Sequence, residues 1–106
     1  VGTLFQLAFL KYDTKDYKGA AAVLERAVTI APNYANARYY LGLAYDKLGK
    51  DKEALAQFQE IQKTNPDNAE IKAIIQNLNA GRAALQGAPV EVAKPEKRKK
   101  PPVSEN

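Results

Sequence analysis

Apolar residues recur along this chain at steps of three and four, the spacing that puts one stripe on one side of an α-helix. Between Tyr34 and Leu48 the stripe is Ala37, Leu41, Ala44, Tyr45 and Leu48; between Asp51 and Thr64 it is Ala54, Leu55, Phe58 and Ile61. Leu4, Leu7, Ala8 and Leu10 mark an earlier helix, Ala20, Val23, Leu24, Ala27, Val28 and Ile30 the next, and Ile71, Ile75, Leu78 and Leu85 a last one. The pattern predicts five helices, near 3–13, 17–30, 34–48, 51–64 and 67–86. Their ends carry matching signals. Asp16 and Asn33 are expected to cap the second and third helices, and Asp67 with Glu70 forms a capping-box-like pair before the fifth. Gly49 supplies the left-handed residue that ends the third helix, Pro66 stops the fourth, and Ala80-Gly81 is a place for fraying or a bend in the fifth. Turns this short make successive helices antiparallel.

The pattern also repeats. Residues 35–68 lie over residues 1–34 without a gap, with Leu7 on Leu41, Lys18 on Lys52, Ala20 on Ala54, Ala22 on Ala56 and Pro32 on Pro66. Ala8/Gly42, Phe9/Leu43, Leu24/Phe58 and Ala27/Ile61 agree in size or apolar character. A fixed period of this length is the mark of stacked helix pairs. Gly42 and Ala54 stand where the two axes of a pair cross, so the backbones can approach closely only if no larger side chain is there. A third copy begins with Ala69 on Ala35 and Ile75 on Leu41, then turns polar at Gln76, Asn77, Asn79, Arg82 and Gln86, as a terminal helix with one uncovered face should.

These residues resemble the tetratricopeptide repeat, whose pattern is carried by Leu41, Gly42, Tyr45, Ala54, Phe58, Ile61 and Pro66, and in the first copy by Leu7, Ala8, Ala20, Leu24, Ala27 and Pro32. Lys11 departs from it where an aromatic is usual, Leu4 and Arg38 where Trp is frequent, and Ile61 where alanine is. The resemblance implies an all-α solenoid of antiparallel helix pairs with a right-handed superhelix: two repeats, 1–34 and 35–68, and a capping helix 67–86, together one domain over residues 1–86. It also implies a protein-interaction module rather than an enzyme.

Composition narrows the chemistry. The 106 residues include neither Cys nor His, and the one Ser is Ser104, so the usual nucleophile and base pairs and thiolate metal sites cannot be assembled. The acids Asp13, Asp16, Asp46 and Asp51 read as helix-end or solvent residues, and no glycine-rich phosphate loop occurs. No catalytic residue, metal ligand or cofactor is expected. Net charge is +4 over the chain, but eleven basic and nine acidic residues through Gln86 leave the helical part nearly balanced, without a basic stripe interleaved with stacking aromatics. Nucleic acid is not expected as a partner, no segment is long and apolar enough to insert in a membrane, and homo-oligomerisation stays open. The Val1-Gly2-Thr3 opening is expected of an excised or processed fragment; with no signal peptide or transmembrane segment in it, localisation defaults to the cytoplasm.

From Gly87 onward four of the six prolines gather, and Phe, Tyr, Leu and Ile disappear. Residues 87–106 are expected to be a Pro/Lys-rich disordered tail or linker. Its basic run Lys97, Arg98, Lys99 and Lys100 is read as a solvated tail or interdomain linker, with a nuclear-import-like signal, an acidic-surface contact or a phosphate contact as the functional alternatives.

The expected binding surface is the inner face of the first helix of each pair. It would carry Phe5, Phe9, Tyr12 and Asp13 in the first copy, Asn36, Tyr39, Leu43, Asp46 and Lys47 in the second, and Ala73, Asn77 and Ala80 on the cap. An aromatic groove with a polar rim suits an extended or helical peptide. The alternative for Phe5 and Phe9 is packing against neighbouring helices. Relatives that grip a C-terminal carboxylate do so with Lys, Asn and Arg, but Phe5, Phe9, Tyr40, Glu70 and Ile74 stand at those places, so that clamp is not expected. Two functional readings result: a non-enzymatic module that scaffolds a complex by binding a peptide or partner helix, or a structural spacer or self-association segment whose groove is filled by another copy or by its own tail.

Overall fold

A computed structural model describes residues 2–88 and 101–105. Five helices run in order: α1 (Gly2–Asp13), α2 (Tyr17–Ile30), α3 (Ala35–Lys47), α4 (Asp51–Thr64) and α5 (Ala69–Asn79). No strand occurs among the described residues. Each helix packs on the next, and α1 also touches α3, which makes the all-α solenoid of paired helices that the period predicts.

The small residues do what close crossings require. Ala20 and Ala54 are completely buried, and a Cβ on Gly42 would stand 2.6 Å from the Phe58 ring, itself buried. Phe58 therefore fills the space that glycine leaves, with Tyr39 edge-on at 5.8 Å. Tyr45 reaches back across the repeat boundary to donate its phenolic hydrogen to Glu25 of α2. Burial, then the Glu25 carboxylate, pushes its ionisation far above the ordinary tyrosine range.

The helix starts differ in their caps: α2 and α5 are capped by a local side chain, whereas α3 and α4 are not. Asp16 accepts from Gly19 N–H at 3.0 Å, as its position predicts. At α5 the cap is Asn68, which accepts from Ile71 N–H at 3.1 Å, and not Asp67. The helix starts one turn position later than the Asp67/Glu70 pair suggests. At α3 the preceding residue is Tyr34, with no side-chain cap; Asn33 does not serve.

Two C-termini in the same register close alike. Gly49, at φ 76°, lets Lys50 N–H bond Tyr45 C=O at 2.8 Å and Gly49 N–H bond Asp46 C=O at 3.1 Å. Lys15, at φ 67°, does the same for α1 through Asp16 N–H to Lys11 C=O at 2.8 Å, but with a side chain that the left-handed region disfavours.

Two further expectations need correction. The last helix does not run to Gln86: it ends at Asn79, because Gly81 at φ 76° turns the chain back and Arg82 N–H closes on Asn77 C=O at 2.8 Å. Residues 83–88 continue as turns held by the Asn77 side chain, which donates to Ala84 C=O at 2.9 Å and Gln86 C=O at 3.1 Å. The expectation of an unpacked tail fails at residues 101–105. They form neither helix nor strand, yet Pro102 and Val103 are buried against the helices. The basic run Lys97, Arg98, Lys99 and Lys100 lies outside the described residues.

Candidate functional site

Residues 101–105 run, with bends at Pro102 and Val103, across the N-terminal ends of α3 and α5, and asparagines hold them by the backbone. Asn36, in the first turn of α3, donates its Nδ2 to Val103 C=O at 3.0 Å and accepts Val103 N–H at Oδ1 at 3.2 Å. Asn65, the residue that ends α4, repeats the arrangement on the next residue: Nδ2 donates to Ser104 C=O at 3.0 Å, and Ser104 N–H donates to Oδ1 at 2.9 Å. Asn68 adds Nδ2 to Pro102 C=O at 3.2 Å while its own Oδ1 caps α5. A primary amide offers a donor and an acceptor side by side, the same pair that one residue of an extended backbone presents, so each asparagine matches a residue without reading its side chain.

The seat also holds a carboxylate. Glu105 accepts Ala35 N–H at 2.6 Å on one oxygen and Asn36 N–H at 3.0 Å on the other, and the Asn36 amide donates to it as well. These N–H groups open α3, which like α4 has no local side-chain cap, and there unpaired donors and the helix dipole both favour an anion. Tyr34 stands close enough for burial first, and the Glu105 charge second, to raise its phenol above the ordinary value. Asn36 and Asn65 are the buried polar residues of the described chain, and the segment satisfies both of their amides.

The expected groove residues distribute differently. Tyr39 and Leu43 are 0% and 1% exposed and belong to the core, and Tyr12 is buried too; the stacked neighbours of a middle helix cover positions that a lone helix would show. Phe5 and Phe9 are half-buried. Phe5 packs on Tyr34 at 5.4 Å and Tyr40 at 5.5 Å, and Phe9 meets Tyr40 edge-on at 5.2 Å, so both take part in an aromatic cluster between α1 and α3. Asp46 and Asn77 gather the chain that follows α5: Asp46 accepts Ala84 N–H at 3.1 Å, and its carboxyl is raised above the ordinary value by burial, an effect that this hydrogen bond opposes. Lys47 is exposed, its ammonium 5.9 Å from the Tyr17 ring, and Asp13 is exposed at the end of α1. Of the expected set, Asn36 bonds the seated segment directly. Asn65, Asn68 and Glu105 are what sequence reasoning missed. The available signal was the difference between repeats, since Ala31 occupies in the first the place of Asn65 in the second.

The fold and this face define a helical-repeat protein that offers side-chain amides and helix ends to another stretch of chain. A family model, tetratricopeptide repeat, matches residues 11–78, well over half of the chain, and the protein belongs to that family. Neither the curated proteins nor the solved structures gave a match. Tetratricopeptide repeats generally mediate protein–protein interaction and are typically non-catalytic.

Proposed function

We propose that this domain binds an extended peptide segment of a protein partner across the ends of α3 and α5, and so scaffolds a complex. The observation that carries the reading is the double amide-to-backbone pairing of Asn36 with Val103 and of Asn65 with Ser104. Four main-chain hydrogen bonds to two consecutive residues fix chain direction and register, while the buried place of Val103 gives side-chain selectivity, a division of labour seen in other peptide sites. The aromatic cluster of Phe5, Phe9 and Tyr40 adjoins Tyr34 beside the seat and provides apolar surface for a longer ligand.

The test is a titration of the synthetic peptide Pro-Pro-Val-Ser-Glu-Asn into a ¹⁵N-labelled full chain carrying Val103→Asp and Glu105→Arg, which clear the seat. Shifts in the side-chain amides of Asn36, Asn65 and Asn68 are expected. Shifts confined to the exposed side of α1 at Leu7 and Leu10, or no shifts, would reject the reading.

A further inference from the structure

The seat is filled, and what fills it is the chain's own end. We propose that Pro102–Glu105 is a tethered competitor: it closes the site that a partner's extended segment must take, and the partner gains entry only by displacing it. This rests on the reading that the seat takes extended peptides, and it names the chemistry of such a ligand. Val103 is 5% exposed and Glu105 supplies the carboxylate to α3, so the fitting segment has a small branched apolar residue two positions before an acidic one.

Three features make the segment a competitor rather than a permanent part of the core. Its grip is mostly on main chain, which any extended segment can reproduce. Its Glu105 carboxylate completes the start of α3, a helix with no local side-chain cap, a role that any acidic residue at that place can fill. Its two prolines, Pro101 and Pro102, favour extended chain before docking and so reduce the ordering cost of the bound form. Twelve residues join Ala88 to Pro101, enough at about 3.5 Å per residue to reach roughly 40 Å, beyond the 32 Å longest dimension of the molecule. Linkers of this length generally set effective concentrations of about a millimolar. The described contacts come from the four residues Pro102–Glu105, so a longer partner that adds contacts can still win.

Fluorescence anisotropy with labelled Pro-Pro-Val-Ser-Glu-Asn compares three full-length chains: the unaltered one, Val103→Asp/Glu105→Arg, and that variant with Asn36→Ala/Asn65→Ala added. The cleared chain should bind at least about tenfold tighter than the unaltered one, since a tethered competitor weakens apparent affinity by its effective concentration over its own dissociation constant. The asparagine pair should remove the gain, with helix content by circular dichroism unchanged. Equal binding by the unaltered and cleared chains would overturn the competitor while leaving the peptide seat standing; no binding by the cleared chain would overturn both. Amide exchange decides whose tail is seated. Protection of Ser104 N–H that persists on dilution from roughly millimolar to micromolar supports the intramolecular arrangement, and protection lost on dilution would assign the seat to a neighbouring copy and overturn it.

Discussion

Leu7 and Leu41 stand in the same register, 34 residues apart, yet Leu7 is 43% exposed and Leu41 only 2%. The helices around them differ as sharply: α1 buries Ala8 and Tyr12, whereas α3 buries ten of its thirteen residues. The patterns are alike, so the difference comes from neighbours. α3 is enclosed by α2 and α4, with α1 and the docked segment on further sides, while α1 rests on α2 and meets α3 along one edge through Phe5, Phe9 and Tyr12. A stacked-repeat protein is close to a sum of repeat and nearest-neighbour terms, and the position of a residue in the stack decides what its side chain contributes.

Truncation should show this most strongly. Leu41→Ala is expected to cost about 2–5 kcal/mol, as buried leucines do when their cavity cannot collapse, and Leu7→Ala under about 1 kcal/mol, because most of what it loses already faces water. Chemical denaturation of both variants measures the gap; equal losses would mean that α1 is as enclosed as α3.

The two crossings partition volume differently: Gly42 with Phe58 in the second repeat, Ala8 with Leu24 at the same places in the first. Gly42→Ala should cost about 1–3 kcal/mol by driving a methyl into the buried Phe58 ring. Leu24→Phe should cost a similar amount alone and recover much of it with Ala8→Gly, and a double-mutant cycle on thermal melts reads the coupling. Simple additivity would show that the first crossing is looser than its register implies.

Lys15 and Gly49 end their helices in the same left-handed conformation. Lys15→Gly should stabilise the protein by about 1 kcal/mol and Gly49→Lys should destabilise it by about as much, since the cost of a side chain at positive φ is local and does not depend on stacking. Opposite shifts in melting temperature of similar size would confirm that this term, unlike the leucine term, is the same in both repeats.

The smallest effect is expected at Asp46, whose folded carboxyl titrates above its ordinary value because burial disfavours the charge. The raised value means that stability is fully present while the group is protonated and falls as pH rises through the folded pKa. Asp46→Asn keeps an oxygen for Ala84 N–H and removes the charge, so it should gain no more than about 0.5 kcal/mol near neutrality. That gain should vanish in acid below the ordinary carboxylate range, where Asp46 itself is neutral. A gain that persists there would assign the effect to something other than desolvation.

The sequence by itself determined the helices, their pairing and the close crossings, because these depend on local periodicity and on steric exclusion around Gly42, Ala20 and Ala54, which a repeat states twice. It marked Asp16 as a cap and Gly49 as a terminator for the same reason: both act within one helical turn. Tertiary structure alone decided the rest. Tyr39 and Leu43 sit on positions that sequence assigns to an open face, and only the stacking of neighbours takes them out of water. The missing cap of α3 is supplied by Glu105, seventy residues away, and the amides of Asn36 and Asn65 meet a stretch of tail whose low apolar content argues for disorder. Composition weighs what a segment can bury by itself; it does not register that a few buried asparagines and an uncapped helix can supply from the other side the hydrogen bonds that hold such a segment in place.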